Sequence, residues 1–186
     1  PVESAGNETR VKANLGATTT ISASWHPRTS QKPDMDLLAA VTNYQKVTLR
    51  DGLVHTDVFL NYDILRGEMT ELAIAVPVGH RILGVSSSDA KIRGWRAEPG
   101  EQRQTVRVEF LSPATNKVSI GVHTEREFAA TTLQLAGQDD EGNYNGIHAV
   151  DAVRESGQLT VAGARDLSLQ FEQTTGLVRI ENDEIH

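Results

Sequence analysis

Apolar and polar residues alternate along most of the chain, and the alternation is cleanest between residues 54 and 64. One set of positions is mainly apolar and the other polar apart from a single phenylalanine: Val54, Thr56, Val58, Leu60, Tyr62 and Ile64 against His55, Asp57, Phe59, Asn61 and Asp63. Successive side chains of a strand point to opposite faces of a sheet. This segment is therefore predicted to be a half-buried strand with one face in water.

The same pattern recurs along the chain, with turn signals roughly every eight to twelve residues. Asp51-Gly52 is a strong signal for a two-residue hairpin. Residues 72–78 are apolar or small at both sets of positions, which predicts a central strand. The pattern favours an all-β fold, an antiparallel β-sandwich of about a dozen short strands with little or no helix. The one helix that the sequence suggests is short and covers Met35 to Val41, with Asp34 as its N-cap.

The alternation also predicts which side chains form the core, because a one-residue shift of register would turn all of them outward. The expected inward residues are Val54, Val58, Leu60, Tyr62, Ile64, Leu72, Ile74, Val76, Val106, Val108, Phe110, Val118, Ile120 and Val122.

The regularity of the pattern falls after residue 126. We expect residues 1–126 to form the sandwich core and residues 127–186 to add further strands, in the same domain or in a small second sheet. The chain begins at Pro1 rather than at a methionine, which favours a piece of a longer protein.

Composition narrows the possible functions. The 186 residues include 18 Lys and Arg against 25 Asp and Glu, a net charge of -7. Such a chain repels phosphate backbones, so nucleic-acid binding is not expected. There are no cysteines, which excludes disulfides and thiolate metal sites. No apolar run reaches the length of a membrane span, so this segment is not expected to insert into a membrane.

Catalytic motifs are absent from the sequence. No two of the six histidines have the spacing of a local zinc site, and no Gly-x-Ser-x-Gly nucleophile elbow or phosphate-binding glycine loop is present. His55 and His123 both occupy polar-face strand positions. They would come together if their strands were neighbours, although solvated strand histidines are the more ordinary interpretation.

The best local candidate for a ligand site is the polar loop before residue 147. Asp139, Glu141, Asn143 and Asn145 place oxygen atoms at alternate positions, and oxygen is the ligand that calcium prefers. The closing bidentate glutamate of a calcium loop is missing, and a surface turn rich in Asp, Asn and Gly explains the same residues. Calcium is thus the one cofactor to be tested, and otherwise none is expected.

The two tryptophans are candidates for sugar stacking. Trp25 ends an apolar alternation and is expected in the core. Trp95 lies between Arg93 and Arg96 and is the better candidate for a surface ligand-binding residue, with an edge-covering role as the alternative.

Several motifs between Tyr44 and Glu125 resemble one class of protein. They are the Asp51-Gly52 hairpin, Ile64-Leu65-Arg66-Gly67, the run Leu72-Ala73-Ile74-Ala75-Val76-Pro77-Val78-Gly79, and Gly94-Trp95. This stretch resembles β-rich extracytoplasmic segments of large, uncharacterised bacterial envelope proteins. The resemblance implies a bacterial, exported, non-catalytic module located in the periplasm or at the cell surface.

Three functions follow as hypotheses. The first is a non-enzymatic scaffold or interaction module of a larger bacterial envelope protein, with other domains of that protein as partners. The second is a carbohydrate-binding module with a glycan ligand. The third is a glycan-active enzyme with a dispersed site. Charged residues at expected edge strands oppose edge-to-edge pairing, so a monomer or weak dimer is predicted.

Overall fold

The structure is a computed structural model that describes residues 2–5, 8–11, 36–128, 132–137 and 145–164, together with 168, 170, 177, 178 and 180. The chain divides into two compact units, Pro1–Pro33 and Asp34–His186. In the first unit, strands β1 (Val2–Ala5) and β2 (Glu8–Val11) pair in antiparallel fashion.

All other described strands belong to the second unit. In chain order they are β3 (Leu38–Arg50), β4 (Leu53–Arg66), β5 (Met69–Pro77), β6 (Arg81–Ser87), β7 (Ile92–Glu98), β8 (Arg103–Ala114), β9 (Lys117–Glu127), β10 (His148–Ala149) and β11 (Arg154–Gly163). They form a five-stranded sheet in the order β11-β3-β4-β9-β6 and a four-stranded sheet in the order β10-β5-β8-β7. All neighbours are antiparallel except β11 and β3, which are parallel.

The two sheets pack against each other as a β-sandwich, which confirms the predicted fold class. One cluster of buried side chains joins them, with Leu60 and Ile120 from the five-stranded sheet and Ile74 and Val108 from the four-stranded sheet. Thirteen of the fourteen predicted core residues are buried, and Ile64 is partly buried against the same cluster. Strand β5 lies between β8 and β10. This agrees with the central strand predicted from the apolar or small residues on both of its faces.

The hairpin between β3 and β4 has the turn that its sequence indicates. Asp51 and Gly52 have φ angles of 55° and 75°, and positive values at both central residues are what a type I′ turn requires. The turn sets Arg50 opposite Leu53, and the pairing then continues without a shift as far as Ala39 opposite Ile64.

The predicted helix over Met35 to Val41 is wrong, because β3 begins at Leu38. Ala39 and Val41 are buried and Ala40 between them is less so, which is the two-residue period of a strand. A short apolar segment fits either periodicity, and pairing with β4 along the whole of β3 decides for the strand.

A polar cluster lies on the inner side of β3 and β11. The Asn43 amide donates to the Ile147 carbonyl (2.8 Å) and to Glu155 Oε1 (2.6 Å), and the Glu155 carboxylate also accepts hydrogen bonds from His148 Nδ1 (3.2 Å) and the Ala149 amide (3.0 Å). Burial raises the pKa of Glu155, but these hydrogen bonds outweigh burial and the net shift of its pKa is downward. The cluster therefore connects β10 and the segment before it to β3 and β11.

The phenol of Tyr62 extends this cluster. Its hydroxyl is buried and has no hydrogen-bond partner within the described part of the chain. Desolvation, followed by the negative charge of Glu155, raises the pKa of Tyr62 well above its usual range, so this hydroxyl stays protonated.

A second, smaller cluster covers the far end of the inner face of the five-stranded sheet. Val47, Leu49 and Val54 are buried there beneath Leu133 and Leu135. The described residues include no helix that could cross a membrane.

Candidate functional site

Aromatic side chains cross the middle of the outer face of the five-stranded sheet. Tyr44 on β3 is directly opposite Phe59 on β4, and Phe59 is opposite Gly121 on β9. His123 lies two residues along β9 from Gly121 and therefore on the same face. We call Tyr44, Phe59 and His123 the aromatic band.

Two members of the band are exposed to a degree that is unusual for their position. Phe59 is 49% exposed and Tyr44 is 38% exposed, although both belong to strands with neighbours on either side. The opposite side of β4 is buried, with Val58 and Leu60 fully inaccessible. Phe59 therefore does not contribute to the core of the sandwich, and its ring lies on the solvent-facing side of the sheet.

The neighbour of Phe59 on β9 is Gly121, whose backbone is buried. A Cβ atom added to Gly121 would lie 2.9 Å from Ser86 Oγ, 3.4 Å from Phe59 Cε1 and 3.7 Å from His123 Nε2. The side chains of Phe59 and Ser86 thus cover the backbone of Gly121 and leave no room for a larger residue there. The rings of Phe59 and His123 meet edge to face, with centroids 6.2 Å apart and planes at 85°. An aromatic edge, an imidazole and a hydroxyl therefore lie side by side around Gly121.

His123 is held in place by a carboxylate from the neighbouring strand. Its Nδ1 lies 2.7 Å from Asp57 Oδ1, and an ionised carboxylate can only accept a hydrogen bond, so Nδ1 carries the proton. In the neutral ring, Nε2 is then an acceptor beside Gly121. The hydrogen bond between His123 and Asp57 fixes the imidazole without involving Nε2.

A second histidine and carboxylate lie two residues away on the same strands. His55 Nδ1 is 3.9 Å from Glu125 Oε2, and Arg81 from β6 forms an ion pair with the same carboxylate. The strands of His55 and His123 are indeed neighbours. Each histidine faces a carboxylate of the other strand rather than the other histidine.

Positive and negative charges on this face nearly balance. The outward Lys and Arg residues of the five strands are Lys46, Arg50, Arg81, Lys117 and Arg154, and the outward carboxylates are Asp57, Asp63, Glu125 and Glu127. Lys117 pairs with Asp63 at 3.2 Å. The face is close to neutral although the whole chain carries a charge of -7.

Two cavities in the second unit lie away from the aromatic band. An open depression of about 600 Å³ at one end of the sheet is lined in part by Ile64, Leu65 and Val153. A cavity of about 20 Å³, the size of a single water, lies beside His80 and Arg126. Neither of these two cavities is lined by a residue of the band.

Comparison with known proteins finds no family and no curated relative. No family model matches the chain, and no curated protein matches it. Among solved structures, the M1 zinc metallopeptidase from Deinococcus radiodurans aligns with a TM-score of 0.38 and 14% identity, over 54% of this chain and 24% of its own. Native leukotriene A4 hydrolase from Saccharomyces cerevisiae aligns with a TM-score of 0.42 and 14% identity, over 63% of this chain and 21% of its own.

The chain thus spans about a quarter or less of the length of these proteins.

The structure places the predicted ligand-binding Trp95 away from the aromatic band. Trp95 is 40% exposed and belongs to β7, the edge strand of the other sheet. It is opposite the buried Val108, so it lies on the same side of its sheet as the core. The sequence did not single out Tyr44 or Phe59 as ligand residues, although Phe59 interrupts the polar side of the alternation.

The calcium candidates Asp139, Glu141 and Asn143 lie outside the described residues, as does Trp25. Asn145 is described, and its backbone amide donates to the Gly137 carbonyl at 2.8 Å. Within the described ranges, no three His, Asp or Glu side chains are grouped so that they could hold a metal ion. Calcium binding by the loop stays a prediction.

His80 makes the domain sensitive to acid. Its Nδ1 lies 2.9 Å from Thr124 Oγ1, and burial, together with the charge of Arg126, lowers its pKa to about 4. A depressed folded-state pKa means that stability is complete above the usual histidine pKa of about 6.5 and is lost as the pH falls towards about 4. We expect the free energy of unfolding to fall by on the order of 1 kcal/mol between pH 7 and pH 5, measured by urea unfolding.

The matched variant is His80→Gln, which keeps a polar side chain but cannot titrate. Its loss between pH 7 and pH 5 should be clearly smaller than that of the wild type. Equal losses in both proteins would contradict the assignment to His80.

Proposed function

We propose that the chain is a non-enzymatic β-sandwich interaction module that binds its ligand through the aromatic band. The observation that carries the proposal is Phe59, half exposed in the middle of a sheet between Tyr44 and His123. Aromatic residues exposed on a fixed surface are the usual anchors of binding sites, because they offer large apolar area at little cost in side-chain entropy. A strand-borne site is also rigid before the ligand arrives, which lowers the cost of binding.

The arrangement of ionisable groups favours binding over catalysis. Both pairs, His123 with Asp57 and His55 with Glu125, lie on the open outer face rather than in the two cavities. General acid–base chemistry gains from a site that excludes water and positions the substrate on several sides. The resemblance of residues 44–125 to segments of bacterial envelope proteins supports a place within a larger extracytoplasmic protein, which stays a prediction.

Site-directed photo-crosslinking tests the use of the band. Tyr44 is replaced by p-benzoylphenylalanine and the protein is irradiated in an extract of the cells that make it. We expect a covalent adduct from position 44 and none from the same amino acid at Trp95, which is similarly exposed on the other sheet. The adduct at position 44 should disappear when Phe59 is also changed to alanine, since both rings would contact one ligand.

Two results would overturn the proposal. One is the absence of any adduct at position 44 in a folded protein, or adducts of equal yield at 44 and 95. The other is release of reducing ends from a polysaccharide that is lost in Asp57→Asn, because it would make the face an active site.

A further inference from the structure

We propose that the ligand of the aromatic band is a neutral glycan chain, with sugar rings stacked on Phe59 and Tyr44 and hydroxyls bonded to the polar residues beside them. This inference rests on the proposed function and names the ligand class of the same site.

The shape of the face suits a flat ligand with an apolar surface. Several residues near the band are small, with Gly121 and Ser86 on one side of Phe59 and Thr42 and Ser119 opposite Asn61. The two rings therefore stand above their surroundings. A pyranose presents a face of C–H groups and an edge of hydroxyls, and an exposed aromatic ring is the side chain that matches such a face.

The polar residues beside the rings suit hydroxyl groups. Asn61 follows Phe59 on the same face of β4, and Gln158 of β11 is paired with Tyr44. Side-chain amides both donate and accept, as hydroxyls do. Asp57 and the Nε2 atom of His123 add acceptors beside Phe59 and Gly121. Few but fixed polar groups around an apolar floor are typical of small-ligand and sugar sites.

The charges decide against a highly charged ligand. Asp57, Glu125 and Asp63 each have a cationic or histidine partner across the strands. A nucleic acid or an anionic polymer needs a clear excess of positive charge, which this nearly balanced face does not offer.

The size of the exposed apolar surface favours a small ligand over a folded protein partner. A stable protein interface buries about 800 Å² on each side. A buried aromatic side chain covers about 150–250 Å², so two rings that are 49% and 38% exposed offer only about 200 Å². The remainder of a protein interface would have to cover charged flanking residues. A single glycan strand needs no more than the band itself.

Affinity electrophoresis of the whole chain through native gels tests the inference. The gels contain one of several neutral polysaccharides: mixed-linkage β-glucan, xyloglucan, galactomannan, arabinoxylan, dextran or hydroxyethyl cellulose. A gel with anionic alginate is run beside them. We expect retardation by at least one neutral polymer, little dependence on salt between 50 and 300 mM NaCl, and no retardation by alginate.

Variants connect the retardation to the band. Phe59→Ala and Tyr44→Ala should each weaken binding at least tenfold, Phe59→Tyr should keep it within about threefold because it retains the ring, and Trp95→Ala should change it less than twofold. Circular dichroism and the urea midpoint confirm folding. If Phe59→Ala fails to fold, Tyr44→Ala and Gly121→Ala carry the test, since the methyl group added at Gly121 would displace the Phe59 ring and Ser86.

The outcomes separate this inference from the proposed function. Blank neutral gels together with a crosslinked polypeptide at position 44 overturn the glycan ligand and leave the interaction face in place. Blank gels without any adduct overturn both. Retardation that is equal in Phe59→Ala, or lost only in Trp95→Ala, also overturns the glycan site on the band.

Discussion

Replacing Ile74 with alanine is expected to lower the free energy of unfolding by about 2–5 kcal/mol. Ile74 is fully buried in β5, where it is paired with Val106 on one side and Ala149 on the other. Removing most of its side chain loses the transfer free energy of the methyl groups and leaves a cavity that the two packed sheets cannot close. Urea unfolding followed by tryptophan fluorescence measures the change.

Leu111→Ala is the matched control for this substitution. Leu111 lies on the adjacent strand β8 but is 54% exposed, so its truncation should change stability by less than about 0.5 kcal/mol. If Ile74→Ala cost under about 1 kcal/mol, the position of β5 between β8 and β10, with Ile74 facing the other sheet, would be wrong.

Replacing Gly157 with alanine is expected to have an effect at least as large. A Cβ atom at this position would overlap the backbone carbonyl of Asn43 on β3, and a backbone group cannot move aside as a long side chain can. Strand β11 would have to separate from β3, which would pull Glu155 from its hydrogen bonds with Asn43 and the Ala149 amide. We expect a loss of more than about 3 kcal/mol in urea unfolding.

Hydrogen exchange locates this second effect. In Gly157→Ala, the amides of residues 158–162 should exchange much faster than in the wild type, whereas those of β4 and β9 keep their protection. Ser156→Ala, one residue earlier on the exposed side of β11, should alter neither stability nor exchange. Normal protection of β11 in Gly157→Ala would mean that the two strands are not so close at this point.

The strands around the aromatic band could be predicted from the sequence for a local physical reason. Alternation sets which residues face water, and the two-residue Asp51-Gly52 turn sets the register of its hairpin. Counting back equally from that turn places Tyr44 opposite Phe59. The pair could thus have been found from the turn and from the interruption of the polar side by Phe59.

The other features depend on contacts that no local pattern encodes. Whether β9 lies beside β4, and so whether His123 meets Asp57, depends on sheet order. The parallel pairing of β11 with β3 requires a long crossover. The one sign of this pairing in the sequence is Gly157, which cannot be told apart from the other glycines among the fifteen in the chain. The helix expected over Met35 to Val41 fails for the same reason, because the pairing with β4 outweighs local preference.

The parallel pairing of β11 with β3 also has a consequence for synthesis on the ribosome. The hydrogen bond between Asn43 and Glu155 joins residues 112 positions apart. At about 5–20 residues per second, translation leaves the edge of β3 without its neighbour for roughly 6–20 seconds after that strand has emerged. An uncovered edge next to the unsatisfied amide of Asn43 is a template for pairing with other nascent chains. The interval before β11 is synthesised is therefore when this domain most needs a chaperone, or wide spacing between ribosomes on the same messenger RNA.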